Sequence, residues 1–283
     1  MLNLAGVAVS AISVGGLETC IELPGFNLAF DIGRCPRSAV HRDRVLFTHG
    51  HIDHLGGIAM HVATRGLLGL SPPTYVMSPA LIPDVAVLLD AWRRLDRSDL
   101  PCELVPLSPG ESLALGRDVV ARPFRALHRV PCQGYGLWRS RRRLRPELHG
   151  RPEAEIRARR LAGEEITSAV DVLEVAFCGD TLIDVLDREP ALCTARLLIL
   201  EVSFIDDRVP VASARSKGHV HLDEVVARAD QLQNEAILFT HLSARYSAEE
   251  AERALDERLP PGLRERVTLL RPEGSARLGS SGS

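Results

Sequence analysis

Short apolar runs alternate with segments of helical periodicity along most of the chain. The alternation over residues 7–13 is typical of a strand, and further short runs rich in Val, Ile, Leu and Phe predict more strands. The predicted strands span residues 7–13, 28–31, 45–48, 74–77, 119–124, 173–178, 197–201, 236–240 and 267–270. Apolar residues at helical spacing predict helices over residues 55–68, 79–95, 153–162, 222–232 and 248–259. A strand-rich first half, followed by alternating strands and helices, indicates an α/β fold in which helices cover sheets.

Length and composition are those of one globular domain. The 283 residues are 45% hydrophobic and 25% charged, which allows a sizeable core. We expect a single domain over residues 1–273 and a disordered tail over residues 274–283, which are mostly Gly and Ser. No apolar run approaches the ~20 residues of a membrane span, so no membrane association is expected. Six cysteines without a CxxC pair favour reduced thiols in a cytoplasmic protein.

Charge is distributed unevenly along the chain. The net charge of −3 by itself gives no reason to expect a nucleic-acid partner. Residues 139–160, however, contain nine arginines and only three glutamates, a net charge of +6. Such a segment is either a solvated, partly helical insertion or a binding site for a polyanion.

Metal-ligating residue types are concentrated after the strand predicted at residues 45–48. His49, His51, Asp53 and His54 place three imidazoles and one carboxylate within six residues. Imidazole nitrogen and carboxylate oxygen are good ligands for zinc and similar divalent ions. The sequence therefore predicts a metal site at the C-terminal end of this strand.

Three further candidate ligands, His128, Asp180 and His241, each follow a predicted strand. Together with the first run they resemble the ligand set of the metallo-β-lactamase superfamily, whose HxHxDH motif matches residues 49–54. The resemblance implies a four-layer αββα sandwich and two divalent metal ions, with zinc as the expected metal. In that family the matching residues are divided between the ions: His49, His51 and His128 bind one, Asp53, His54 and His241 bind the second, and Asp180 bridges both.

Other segments are similar to the ribonuclease Z branch of the superfamily, and the similarity extends over residues 14–246. These segments are residues 128–136 (HRVPCQGYG), 177–181 (FCGDT), 201–204 (EVSF), 218–219 (GH) and 240–246 (THLSARY). The resemblance implies that hydroxide held between the ions is the nucleophile and that Asp53 orients this water or takes its proton. It also implies that Glu201 and His219 act as a pair that protonates the leaving group. Two alternatives stay open here: the pair is purely structural, or His221 takes the place of His219.

The function implied by this resemblance is a phosphodiesterase, an endoribonuclease that acts on tRNA precursors. The alternatives are hydrolysis of a small acyl compound (a thioester such as a coenzyme A ester, a lactone or a β-lactam) and of a cyclic nucleotide. A non-catalytic binding module is disfavoured because no metal ligand is missing. Ribonuclease Z relatives are commonly homodimers, so a homodimer is expected.

The basic segment is the predicted substrate-binding element. The Gly- and Pro-rich arm that holds tRNA in the family is not evident, but this segment lies where some members carry the arm. Because it connects two ligand motifs, we expect it near the metal cleft. Arg141, Arg142 and Arg143 would then bind the phosphates of an anionic substrate (RNA, a nucleotide or a coenzyme A ester), while Tyr135 and Trp138 would stack on a base.

Overall fold

Two seven-stranded sheets form the centre of the molecule in the computed structural model, which describes residues 1–116 and 118–270. In each sheet the strands are neighbours in chain order. The first sheet contains β1 to β7: Leu2–Leu4, Val7–Val14, Glu18–Leu23, Leu28–Phe30, Arg44–Leu46, Thr74–Met77 and Glu103–Pro106. The second contains β8 to β14: Leu113–Ala114, Val119–Arg125, Gln133–Leu144, Thr167–Phe177, Leu197–Glu201, Ala236–Thr240 and Val267–Leu269.

Parallel strands bring the polar loops of both sheets to a common edge. Strands β4 to β7 are parallel to one another, as are β11 to β14, whereas the other neighbouring strands are antiparallel. Parallel strands end at the same edge of a sheet, so the residues that follow them lie close together. The polar residues at or just beyond these strand ends are Asp31, His49, Asp180, Glu201 and His241.

Helices cover the outer faces of both sheets. The helices α1 to α9 are Ile52–Leu55, Ile58–Leu67, Ile82–Asp96, Glu153–Leu161, Val185–Arg188, Val211–Lys217, Leu222–Val226, Ala248–Arg258 and Pro261–Arg264. One buried cluster lies between the sheets and includes Phe30 and Ile199. A second joins the first sheet to α2 and α3, and a third joins the second sheet to α5, α7 and α8. These layers confirm the predicted αββα sandwich.

The longest hairpin of the molecule was missed by the sequence analysis, which predicted a strand only at residues 173–178. Strands β10 and β11 pair from Tyr135 and Phe177 out to Leu144 and Thr167. The outer half of β10 consists largely of exposed arginines, because there the hairpin extends beyond the core. A strand that buries neither face has no hydrophobic alternation from which it could be predicted.

The basic segment lies far from the edge that carries the candidate ligands, so the expectation that it lies near the cleft is wrong. Strand β10 begins at that edge, where the Gln133 N–H donates to the Thr48 carbonyl at 3.0 Å. Its 12 residues then lead away over about 36 Å, at roughly 3.3 Å per residue. Only the start of β10 and the end of β11 lie at the ligand edge. Arg142 and helix α4 lie toward the opposite edge of the sheet.

The composition led to expectations about membrane-spanning helices, the cysteines and the C-terminal tail. Among residues 1–116 and 118–270, the helices are all too short or too polar to span a membrane. All six cysteines are free thiols. The expected tail at residues 274–283 lies outside the described residues, and the single domain over residues 1–273 stays a prediction.

Candidate metal centre

Four of the predicted ligands form one compact group. The ligand atoms of His49, His51, His128 and Asp180 all lie within 4.8 Å of one another. The His128 Nε2 and His51 Nδ1 atoms are 3.4 Å apart. Two nitrogen ligands of a tetrahedral zinc ion are separated by about 3.3 Å, because each lies roughly 2.0–2.1 Å from the metal. The spacing of this group therefore fits a single divalent ion.

The other three predicted ligands form a second group. Asp53, His54 and His241 also place their ligand atoms within 4.8 Å of one another. The Asp180 carboxylate lies between the groups, with Oδ1 at 3.4 Å from His54 Nε2 and Oδ2 at 3.4 Å from His241 Nε2. Its Oδ2 atom is also 3.8 Å from His49 Nε2 in the first group. One carboxylate is thus within reach of both groups.

Hydrogen bonds on the outer ring nitrogens orient four of the imidazoles. The bonds from Nδ1 to its partner are His49 to Thr48 Oγ1 at 2.9 Å, His54 to Asp31 Oδ2 at 2.9 Å, His128 to the Gly218 carbonyl at 2.8 Å and His241 to Ser203 Oγ at 2.9 Å. Such contacts fix the orientation of a ligand ring and leave Nε2 directed at the metal. Gly218 is required for this approach: its φ is 81°, and an added Cβ would lie 2.8 Å from His128 Nδ1.

Three buried ring nitrogens lack a hydrogen-bond partner among the described residues, namely Nε2 of His49, His54 and His241. Leaving such an atom unpaired costs about 1–3 kcal/mol, a cost that a coordinated cation removes. Burial and the neighbouring His54 together lower the pKa of His49 to about 2. Burial also lowers the pKa of His128. These two rings are therefore neutral near pH 7 and offer a lone pair to a metal ion.

The carboxylates in the centre are ionised. Burial alone would raise the pKa of Asp180, but His241 and His54 hold it well below its usual value. The pKa of Asp53 is lowered in the same way, against the effect of burial, by His241 and His54. Anionic carboxylates beside the neutral rings of His49 and His128 attract divalent cations, so the donor set fits the metal ions implied by the sequence.

A fully engaged carboxylate lies beside the two groups. Glu201 Oε1 accepts hydrogen bonds from the Thr181 N–H and His219 Nδ1, both at 2.9 Å, and Oε2 accepts one from Ser203 Oγ at 2.6 Å. The His219 ring stacks against His241 with centroids 5.2 Å apart. Burial by itself lowers the pKa of His219, but the Glu201 carboxylate outweighs this effect and raises the pKa to about 9. A protonated imidazole is thereby held against the centre.

The alternative imidazole, His221, does not face the centre. Its Nδ1 accepts a hydrogen bond from the Asp223 N–H at 3.1 Å, and its Nε2 donates to the Asp206 carbonyl at 3.2 Å. The side chain thus caps the N-terminus of α7. Both ring nitrogens are engaged in this structural role, which leaves His219 as the imidazole next to the two groups.

Sequence reasoning assigned no role to Asp31 or Ser203. Asp31 has a φ of 53°, and its carboxylate accepts from the Thr48 N–H and hydroxyl, each at 2.8 Å, as well as from His54. An acidic residue at the end of the apolar strand predicted over residues 28–31 was a usable signal for it. Ser203 joins Glu201 to His241, and only its place within the EVSF segment distinguished it from other serines.

Tyr135 is not available to a substrate, which overturns the prediction that it stacks on a base. Its ring is fully buried between the sheets and stacks on Phe30. The hydroxyl donates to the Phe47 carbonyl at 2.8 Å. The alternation of β10 directs this side chain inward, a direction that the surrounding glycines did not reveal in the sequence.

The three predicted phosphate-binding arginines lie on the outer half of β10, away from the centre. Arg141 Nε donates to Glu174 Oε1 at 2.7 Å, and Arg142 forms an ion pair with Glu165. Arg143 is exposed. No carboxylate among the described residues forms an ion pair with Arg143, so of the three it has the least restricted guanidinium group.

Comparison with known proteins agrees with this fold. Residues 24–242 match the sequence model of the beta-lactamase superfamily domain, so the chain belongs to that superfamily. The crystal structure of human tRNase Z, short form, shares the fold, with a TM-score of 0.60 and 18% identity over 93% of this chain and 96% of that chain. The sequence is 40% identical to tRNase Z TRZ1 of Arabidopsis thaliana over 95% of this chain and 96% of the relative. It is 37% identical to the chloroplastic tRNase Z TRZ2 of the same organism, over 90% and 72%. The chain belongs to the ribonuclease Z family and is a ribonuclease Z-like, metal-dependent hydrolase.

Proposed function

We propose that the protein is an endoribonuclease that removes the 3′ extension of tRNA precursors. The observation that supports this most is the cluster of seven ligand-type side chains beside a Glu201–His219 pair. The 40% identity to a tRNase Z over nearly the whole chain favours an RNA phosphodiester over an acyl substrate.

The proposed cofactor is a pair of zinc ions. His49, His51 and His128 would hold one ion and Asp53, His54 and His241 the other, with Asp180 shared between them. When bound, such ions stabilise the attacking and leaving oxygens and lower the pKa of a bound water. Asp53 is proposed to orient that water, since the Gly16 N–H, at 2.9 Å from its Oδ2, fixes the carboxylate.

His219 is proposed as the general acid. Water attacks phosphorus, the bond to the ribose 3′-oxygen breaks, and His219 gives its proton to that oxygen. The products are a tRNA with a 3′-hydroxyl and a trailer with a 5′-phosphate. The hydrogen bond of Glu201 to His219 Nδ1 at 2.9 Å holds the ring so that its other nitrogen carries the mobile proton.

The hairpin of β10 and β11, with α4 at its tip, contains the basic segment and is called the basic hairpin below. It is proposed to bind the body of the RNA rather than the scissile phosphate. Arg142 lies about 30 Å along β10 from its start at the metal edge, at roughly 3.3 Å per residue. A coenzyme A ester or a cyclic nucleotide is too small to contact both sites, whereas a folded tRNA precursor is large enough. Exposed guanidinium groups without carboxylate partners among the described residues, at Arg143, Arg157 and Arg160, are the candidate phosphate contacts.

A homodimer is proposed through the outer faces of α2 and α3. More than half of the large exposed apolar side chains among the described residues lie on these helices or directly after α2: Met60, Leu67, Leu68, Val87, Leu88, Trp92 and Leu95. Apolar surface of this kind marks an interface.

Six free cysteines support a reducing compartment, and we propose the cytoplasm.

A direct comparison of substrates tests the function. The zinc-loaded protein is incubated with a tRNA precursor that carries a 3′ trailer, and in parallel with an acyl-coenzyme A. We expect a single cut that yields a 3′-hydroxyl on the tRNA and no release of free thiol. Thioester hydrolysis without RNA cleavage would overturn the proposal.

A further inference from the structure

Two cationic side chains from different parts of the chain converge on one aromatic ring beside the metal centre. The Lys217 Nζ atom, at the end of α6, lies 5.5 Å from the Phe204 ring centroid. The Arg245 guanidinium carbon, in the loop after β13, lies 5.6 Å from the same centroid. Among the described residues, Lys217 donates a hydrogen bond to the Ser213 hydroxyl and Arg245 to the Ser243 hydroxyl, both of which are neutral.

These two cations differ from the other basic residues near them. Arg208 is paired with Asp206, and Arg215 is paired with Asp184 and Glu224. No carboxylate among the described residues forms an ion pair with Lys217 or Arg245. A cation–π contact is worth only about 0.5–1 kcal/mol at an exposed site, and two like charges on one ring repel each other. An anion that contacts both cations would remove this repulsion.

The pair lies near the His219 ring rather than on the basic hairpin. The Phe204 and His219 ring centroids are 6.1 Å apart. Both cations lie against the Phe204 ring, and this ring in turn lies next to the His219 ring. The pair is therefore close to the proposed general acid. Phe204 is only 5% exposed, so its ring supports the two cations and is not itself free to stack on a base.

We propose that Lys217 and Arg245 form a clamp for an RNA phosphate next to the one that is cleaved. The inference rests on the proposed function, because it requires a chain whose consecutive phosphates reach both the metal centre and the clamp. The Lys217 ammonium is a compact point charge and the Arg245 guanidinium is a planar fork, and both suit the oxygens of a phosphate group. The clamp would hold the strand in register with His219, so that one particular bond is presented to the metal ions.

Lys217 offers a direct chemical test because it is the only lysine in the sequence. An amine-acylating reagent then has two targets, Lys217 and the N-terminal amine of Met1, and Met1 is 90% exposed. The zinc-loaded protein is acylated with and without a saturating six-nucleotide 2′-O-methyl oligoribonucleotide, and both sites are quantified by peptide mass spectrometry. We expect roughly tenfold slower acylation of Lys217 and an unchanged rate at Met1. Equal rates at Lys217 with and without the oligonucleotide would overturn the clamp.

A second arm separates an RNA site from a general anion site. Inorganic phosphate, at the same total concentration of phosphate groups, should protect Lys217 far less than the oligonucleotide does. Equal protection by the two would show that the pair binds any phosphate and would overturn the assignment to an RNA chain.

Affinity measurements on variants complete the test. Lys217→Ala and Arg245→Ala should each weaken binding of the oligonucleotide by roughly tenfold at low salt and reduce the log–log salt slope by about 0.7 for each lost contact. Lys217→Arg should retain most of the affinity, since it keeps the charge. Arg253→Ala, which removes an exposed charge from α8, is the matched control and should behave as wild type.

The outcomes also distinguish this inference from the proposed function. If the wild type cleaves a tRNA precursor while both alanine variants bind the oligonucleotide with wild-type affinity and slope, the clamp is wrong and the function stands. If the wild type binds no oligonucleotide and cleaves no precursor, both are wrong.

Discussion

At the scale of single residues, the centre combines a carboxylate that lies between the two groups of candidate ligands with a carboxylate that is hydrogen-bonded to an imidazole. Asp180 is the carboxylate shared by the two groups, whereas Glu201 accepts hydrogen bonds from His219 and Ser203, which lie next to the candidate ligands. This difference separates the effects expected from replacing each residue.

Asp180→Ala should lower metal content and activity together. Removing the shared carboxylate leaves seven-ligand coordination incomplete for both ions, and we expect fewer than two zinc ions per chain by elemental analysis. Glu174→Gln is the matched control, because Glu174 is an equally buried carboxylate on β11, the strand that precedes Asp180, and its ion pairs are with arginines. Wild-type zinc content in Asp180→Ala would contradict the shared site.

His219→Ala should keep both zinc ions and lose roughly 10²–10⁴-fold in kcat, the usual contribution of a general acid. His221→Ala is the control: it removes the cap of α7 and should cost about 1 kcal/mol of stability with little change in kcat. Loss of zinc from His219→Ala would show that His219 is a metal ligand and not the general acid. Loss of turnover in His221→Ala only would assign the general acid to His221.

Glu201→Gln should change the pH dependence of turnover. A general acid must be protonated, so kcat falls as pH rises through the pKa of His219, which Glu201 raises to about 9 against the effect of burial. Without that negative charge the pKa falls, and the alkaline limb of the kcat–pH profile should move to lower pH. An alkaline limb at the same pH in both proteins would show that His219 does not determine it.

At the scale of elements, the β10–β11 hairpin carries charge away from the centre. Its base is held by Glu174, which lies within 4.0 Å of Arg139, Arg141 and Arg196, while the tip carries α4. The hairpin is thus anchored by ion pairs at the sandwich and exposes guanidinium groups beyond it. We infer that the element sets affinity for a long substrate rather than the rate of the chemical step.

The triple replacement of Arg143, Arg157 and Arg160 by Ala should raise KM for a tRNA precursor and flatten its salt dependence. Each lost phosphate contact should reduce the log–log slope by about 0.7–0.9. The matched triple Lys variant keeps the three charges and should retain most of the slope. KM is measured against salt concentration for all three proteins, and coincident curves for wild type and the Ala variant would show that the hairpin does not contact RNA.

At the scale of the whole molecule, the exposed apolar side chains are distributed unevenly. They are concentrated on and directly after α2 and on α3, at the outside of the first sheet. This asymmetry is what a symmetric homodimer requires, because one face must serve both subunits.

Trp92→Glu combined with Leu95→Glu should convert a dimer to a monomer, since two charges would have to be desolvated in the interface of each subunit. Leu161→Glu on α4 is the matched control, because Leu161 is 80% exposed but lies on the hairpin. Sedimentation equilibrium measures the mass of each protein. A wild type that stays monomeric at micromolar concentration would contradict the proposed interface.

The sequence by itself determined the identity and order of the candidate ligands, because strand ends followed by His and Asp are visible as local patterns. Four candidate ligands lie within residues 49–54, and His128, Asp180 and His241 each follow an apolar run. Tertiary structure alone decided which way β10 leads the basic segment, and that Tyr135 faces the core. It also decided that Ser203 joins Glu201 to His241, and that Lys217 and Arg245 meet at one ring. These features depend on strand direction and on contacts between residues far apart in the chain, which no local pattern of polar and apolar positions records.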